Sequence, residues 1–295
     1  MSLLNRPSDG MHSILVAIHN LLIQERAMEL DTIIALCAPG DVGDSTQVRQ
    51  TLNTWVKLGM FEKSADGKVS FHENVPKKDR SREELSKVSR GLVLRADNNT
   101  NLWAAEGVGS ADFTRSVSWL LAQDVYKQEL VSWSEAQALL QGQVPTGVTI
   151  IQNDTRWSGL KAWSQFLGFG WSGKNPSGVL IIDPTEAVRD ALPGIFHKRS
   201  KLPAGDFITA ISQSLPVVDG GSYRQELESK LVEQGVWNPP PDGCLSTSLS
   251  RAILRLIHEG VLKGESLADA GTRLRLTGRK RAEIESFSHI SLIAN

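Results

Sequence analysis

TQVRQTLNTWVKLGMFEKSADGKVSF, residues Thr46–Phe71, is the stretch whose reading decides the fold. Val48, Leu52, Trp55, Val56 and Leu58 recur at helical spacing, so one stripe of the segment faces a core. Gln47, Arg49, Gln50, Asn53 and Thr54 occupy the polar face. Ser45 or Thr46 is the expected N-cap. Gly59 is the stop, because the residue just past a helix often takes left-handed backbone, which glycine adopts at least cost. Met60-Phe61 begins a strand, Ala65-Asp66-Gly67 carries the Asp-Gly hairpin signal, and Lys68–His72 is the return strand. Upstream, Ile14, Leu15, Ile18, Leu21 and Leu22 predict a helix from about Met11 to Gln24. A second is expected over Leu30–Cys37, stopped by Pro39-Gly40. Three helices followed by a two-stranded wing predict a winged helix-turn-helix.

Two later stretches repeat this layout. NDTRWSGLKAWSQFLGFGWSGKNPSGVLIID runs from Asn153 to Asp183, and LSTSLSRAILRLIHEGVLKGESLADAGTRLRLTG from Leu245 to Gly278. In the third stretch Ser246 caps a helix that Gly260 ends, and Val261-Leu262-Lys263 and Thr272–Thr277 are the expected wing strands. The expected fold is therefore mainly α with small β wings: three tandem winged helix-turn-helix modules joined by a helical spacer. The expected division is an N-terminal winged helix over 1–76, a spacer plus second module over 77–200, and a C-terminal winged helix over 201–295.

A chain of 295 residues is long enough for about two domains. Its 40% apolar and 22% charged residues are those of an ordinary globular protein. A net charge of −1 gives the whole molecule no long-range attraction to nucleic acid. The charge is unevenly spread, however. Residues 77–95 hold 7 Lys/Arg against 3 Asp/Glu, residues 96–150 hold 2 against 6, and GTRLRLTGRKR at 271–281 holds 5 with no acid. That last run reads as a phosphate-contacting wing or as a solvated charged hairpin.

Chemistry is hard to find. Gly168–Gly173 matches G-x-G-x-x-G, and Lys174 follows, but a helix precedes it and a strand follows, the reverse of a phosphate loop. The Ser or Thr that would hold Mg²⁺ is replaced by Asn175. The six histidines have no neighbours at metal-ligand spacing, and Cys37 and Cys244 are too far apart in sequence for a metal knuckle. Glu83-Glu84 are adjacent and diverge on a helix, and Asp183-Pro184 reads as a helix start. No catalytic, cofactor-binding or metal-binding residue is assigned, and a non-enzyme is expected. The N-terminus lacks a signal-peptide pattern and no 18-residue apolar run occurs, so a cytoplasmic protein with no membrane partner is expected.

For contact with DNA the useful residues are polar ones on exposed helix faces and cations on wings. Module one offers Gln47, Arg49, Gln50 and Asn53. Module three offers Arg251 and Arg255, then Arg273, Arg275, Arg279, Lys280 and Arg281. Module two offers Arg156, Lys161 and Lys174, a thinner set. Trp55, Trp157 and Trp163 read as packing between helix and wing, or as anchors for a protein partner.

The opening LLNRPSDGMHSILVAIHNLL…LDTIIALCAPG…VRQTLNTWVKLGMFE resembles the protein G family of the dpd gene islands, most clearly over residues 1–75. Its markers are Pro7–Gly10, the helix end Leu36–Pro39 and the run Leu52–Trp55. The resemblance implies an accessory component of a bacterial system that inserts 7-deazaguanine derivatives into DNA and restricts phage. It carries over no catalytic residue. The expected partners are DNA and protein subunits of that defence or modification complex, with the oligomeric state open. A transcriptional regulator and a tandem winged-helix adaptor of an ATPase complex are the alternatives.

Overall fold

The computed structural model describes residues 3–4, 12–38, 45–103, 109–127, 132–172, 179–267 and 273–293. The Pro7–Gly10 entry, the Pro39-Gly40 stop, the loop to Asp44 and residues 173–178, Lys174 included, lie outside them. The protein is mainly helical with small antiparallel sheets. It forms two compact units: residues 1–114 with 151–167, and residues 115–150 with 168–295. The middle stretch 77–200 is thus shared between them.

The first unit begins with α1 (His12–Glu25), β1 (Ala27–Glu29), α2 (Leu30–Cys37), α3 (Ser45–Leu58), β2 (Phe61–Lys63) and β3 (Lys68–Phe71). The helices of this set fall where the sequence places them, and Gly59 takes φ +86° as the stop requires. Strand β1 was not expected. It pairs antiparallel with β3, Met28 opposite Val69, so the sheet order is β1-β3-β2. Three residues cannot announce a period-two pattern, and the pairing partner lies some forty residues away, so no local signal exists.

Helix α4 (Leu85–Leu94) follows, then α5 (Ala111–Ala122), whose residues are divided between the two units, α6 (Trp133–Gln143) and α7 (Asp154–Phe166). The buried Asn98 side chain donates to Leu58 O (3.1 Å) and Leu92 O (2.8 Å), satisfying carbonyls at the ends of two helices. The C-terminal carbonyls of α7 are met by α4: Ser86 donates to Phe166 O, and the buried Arg90 donates to Leu167 O at 2.9 Å. Gly159 lets α7 close on Leu4, 3.6 Å from where a Cβ would stand. The core of this unit is aromatic. Trp55 and Trp163 lie 5.7 Å apart, and His12 stacks on Phe166 at 5.1 Å.

His19, on α1, is buried edge-on against Phe71 at 5.1 Å, and its Nδ1 has no hydrogen-bond partner. Burial pushes its pKa from 6.5 down to about 4. The unfolded chain therefore binds the proton first as pH falls, and stability is lost between pH 6.5 and 4. The loss expected at pH 4 is roughly 3 kcal/mol, from 1.36 kcal/mol per pKa unit. Urea midpoints measured across that window should show the slope in the parent chain and a flatter one in His19→Leu. An equal slope in both would assign the acid sensitivity elsewhere.

The second unit continues with β4 (Gly170–Trp171), β5 (Ile181–Ile182), α8 (Thr185–Ile195), β6 (Lys201–Pro203), α9 (Ala204–Ser214), α10 (Ser222–Gln234), α11 (Thr247–His258), β7 (Leu262–Glu265), β8 (Leu274–Thr277), β9 (Glu283–Phe287) and β10 (His289–Leu292). Here α8, β6, α9, α11, β7 and β10 repeat the helix–strand–helix–helix–strand–strand order of residues 12–71, with sheet order β6-β10-β7. Helix α10 and the β8–β9 hairpin are insertions in that repeat. The repeat of element order thus starts at α8, upstream of residue 201. The expected wing of β7 with β8 is also corrected: β7 pairs with β10, Ile290 opposite Gly264, and β8 pairs with β9. The middle stretch, Asn153 to Asp183, gives one helix and a pair of two-residue strands, β4 and β5, with no third strand among the described residues.

A buried polar chain ties α5 to α6 in this unit. Trp119 Nε1 donates to Gln143 Oε1 at 2.8 Å, Gln143 Nε2 to Gln123 Oε1 at 2.9 Å, and Gln123 Nε2 to Trp119 O at 3.0 Å. Each buried polar atom in that loop has its partner, which is what a low-dielectric interior demands.

Candidate nucleic-acid interface

Helix α3 turns Val48, Leu52, Trp55 and Leu58 into the core. Arg49 and Asn53 are exposed and Gln47 and Gln50 half-buried, so the four expected residues share one polar face. Arg49 pairs with Asp31 at 3.1 Å, and Asn53 Oδ1 accepts from Lys63 Nζ at 2.8 Å. Exposed contacts of this kind are worth about 0–1 kcal/mol, so a phosphate or base edge can replace them cheaply.

Helix α11 is different. Its N-cap Ser246 accepts from Leu249 N, as expected, but the next turn is bonded to the end of α5. Thr247 Oγ1 accepts from Val125 N at 3.0 Å, and Ser248 Oγ donates to Leu121 O at 2.6 Å. Arg251 donates to Ile182 O (3.0 Å) and Val125 O (3.3 Å), with its guanidinium 4.7 Å from the Tyr126 ring centre. Arg255 donates to the buried Asp183 carboxylate at 2.7 Å and to Glu259 at 3.1 Å. Asp183 first, then Glu259, raises the pKa of Arg255. Asp183 also accepts from Thr185 N at 3.0 Å, so it caps the start of α8, with Pro184 as the half-in residue. Moving either arginine to DNA would strand buried carbonyls or a buried carboxylate. In this fold Arg251 and Arg255 cross-link α11 to neighbouring segments, although the Arg255 side chain is 47% exposed.

Arg156 likewise sits on α7 as a buried partner of Asp112 at 3.4 Å rather than on an open face. Lys161 lies 6.0 Å from the Trp157 ring centre. Trp55, Trp157 and Trp163 are buried, which makes them packing residues rather than anchors for a partner.

The cations of the 271–281 run gather on the β8–β9 hairpin. Thr277 N donates to Ser250 Oγ (2.9 Å) and Leu245 N to Arg275 O (2.9 Å), which fix β8 to α11 and to the loop before it. Leu276 and Phe287 bury the inner face. At the tip, Ala282 N donates to Arg279 O, and Lys280 and Arg281 take φ +56° and +59°. This is the mirror-image hairpin turn that ordinarily carries Asn-Gly, because both central residues must be left-handed. Two β-carbon-bearing cations there cost about 1–2 kcal/mol each. Arg281 is held inward by Pro239 O and Asn238 O, at 2.8 and 2.5 Å. Arg275 is 3.7 Å from Glu283, and Arg279 lies 5.9 Å from the Tyr126 ring centre. Arg273, Arg279 and Lys280 are exposed, and Arg273 and Lys280 make no ion pair among the described residues.

Tyr126, which takes both Arg251 and Arg279 over its ring, had no local mark in the sequence. Among the described residues no three His, Cys, Asp or Glu side chains are grouped to hold a metal, and no helix is long and apolar enough to cross a membrane.

A family model described as DpdG-like matches residues 1–270 of the 295. No curated protein and no solved structure matches the chain.

Proposed function

The chain belongs to the DpdG-like family, and on that premise we propose that it is a non-catalytic DNA-associating and scaffolding component of a bacterial dpd DNA-modification and defence system. In this reading residues 12–71 and the repeat from α8 to β10 are winged helix-turn-helix modules. Their shared element order and shared sheet order, with the third strand in the middle, support it. DNA meets the protein at two places: the α3 face with Gln47, Arg49, Gln50 and Asn53, and the β8–β9 hairpin with Arg273, Arg275, Arg279 and Lys280. Arg251, Arg255 and Arg281 act from behind, holding α11 and the hairpin tip in place. Wing cations bind phosphate without reading sequence, and the α3 amides and guanidinium supply what base discrimination there is.

The observation that carries this reading is the hairpin tip. Left-handed Lys280 and Arg281 occupy a turn that glycine and asparagine fill at lower energy, and backbone strain of this kind concentrates at functional sites. Binding of a short fluorescent duplex across a salt series tests it. The affinity should fall with salt at a slope of about −0.9 per phosphate contact. Lys280→Asn fits the turn better, so it should raise Tm while lowering the slope by about one unit and the affinity severalfold. No duplex binding at low salt would remove DNA from the function. A specific observation favours the adaptor alternative for the C-terminal repeat alone: Arg251 and Arg255 of α11 already bond to protein groups.

A further inference from the structure

The first unit holds an open cleft of about 410 Å³. Its floor is Leu22, Ile23 and Phe71, and its rim is Arg26, Lys77 and Arg80, with no carboxylate in the lining. A second open cleft of the same unit, over α4, is lined by Asp79 and Glu84 as well as by cations, so the single sign here is particular to this cleft. Ile23 is 40% exposed on the floor. Arg26 and Lys77 form no ion pair among the described residues. Arg80 is fixed by its Nε–H to Val75 O at 2.8 Å, with its guanidinium 4.9 Å from the Phe71 ring centre.

Arg26 has φ +60° and ends α1, its N–H bonded to Leu22 O. Among the described residues the non-glycine positions with positive φ are Arg26, Lys280 and Arg281, all cations. A helix stop of this kind is ordinarily glycine or asparagine. An arginine kept there at a conformational cost argues for its charge, as at the hairpin tip.

We propose that this cleft docks an acidic amphipathic peptide segment of a partner protein, one aliphatic or aromatic side chain entering over Ile23 and flanking Asp or Glu carboxylates meeting Arg26, Lys77 and Arg80. Two observations favour a peptide over a nucleic-acid strand. A strand would need an open aromatic face on which to stack a base. The Phe71 ring is 5% exposed, with Arg80 over it, the His19 edge at 5.1 Å and Phe61 at 5.6 Å. An aliphatic floor under a cationic rim also rewards an apolar side chain between carboxylates, whereas a sugar-phosphate chain uses only the rim. The inference rests on the scaffolding half of the proposed function and does not need DNA contact.

The test is a photocrosslinking amino acid at Ile23 in the full chain, expressed in its native host, with the cross-linked peptide mapped by mass spectrometry. The expected product is one partner peptide with an apolar residue between two or more carboxylates. A synthetic copy of it should bind the parent chain and lose about tenfold in affinity with Lys77→Glu. Arg26→Gly should lose affinity severalfold while Tm stays level or rises, a combination that a merely structural arginine would not give. Cross-links to nucleic acid, to a peptide without carboxylates or to nothing at all would overturn the proposal. So would affinity indifferent to Lys77→Glu, or a fall in Tm with Arg26→Gly. A mapped acidic peptide together with no duplex binding would sink the DNA reading and leave this one standing.

Discussion

Asp112→Ala is expected to destabilise the first unit by about 3–5 kcal/mol, the cost of leaving one partner of a buried ion pair behind. The Asp112 and Arg156 side chains are 9% and 6% exposed, and their contact is 3.4 Å. Truncating the acid removes a carboxylate 3.4 Å from the Arg156 guanidinium, where water is largely excluded. Removing both charges together, as in Asp112→Ala with Arg156→Met, should recover much of the loss, because a buried pair repays its desolvation poorly. Urea unfolding of the two single variants and the double variant measures the coupling directly. A single-variant cost under about 1 kcal/mol would mean that water already reaches the pair, as at surface bridges.

Trp55→Ala should cost a comparable amount, about 3–5 kcal/mol for a large aromatic in a packed core. Trp55 is fully buried on α3 and meets Trp163 of α7 at 5.7 Å with the rings inclined at 49°. That pair contributes about 0.5–1.5 kcal/mol beyond the area it buries. Its Nε1 has no hydrogen-bond partner, so the loss is one of packing alone, and Trp55→Phe should cost markedly less. Hydrogen exchange localises the effect: the amides of α1 and α3 should lose protection together, since both helices pack on this cluster. Protection lost only at α3 would show that the cluster does not bind the helices into one cooperative unit.

Local signals were legible in the sequence where one residue type decides a local conformation. The bounds of α2, Leu30–Cys37, are those expected ahead of Pro39-Gly40. Gly59 and Gly260 stop helices with φ of +86° and +73°, and Gly67 makes the hairpin turn. What the sequence could not carry is nonlocal. Strands β1 and β6 exist because β3 and β10 come beside them, and neither has a period of its own. The middle apparent copy, Asn153 to Asp183, misled because helix–glycine–strand is a local pattern, whereas α7 packs with α1 and α4. The cations of the interface were visible as composition, but their duties were not. Arg251 and Arg273 look alike in the chain, and only the approach of Val125 and Ile182 makes one a cross-link, while the other is exposed with no ion pair among the described residues. Arg26 carries no local mark, because no propensity rule places arginine at positive φ.

The strand β10 comes after β6 and β7 in sequence yet lies between them. While the polypeptide emerges from the ribosome, those two outer ribbons have nothing to bond until residue 292 is free. The nascent C-terminal repeat must therefore wait with its edges open, whereas residues 27–71 can close their own sheet early. Synthesis thus proceeds with an N-terminal sheet that can close ahead of one whose strand edges stay open until its last strand arrives.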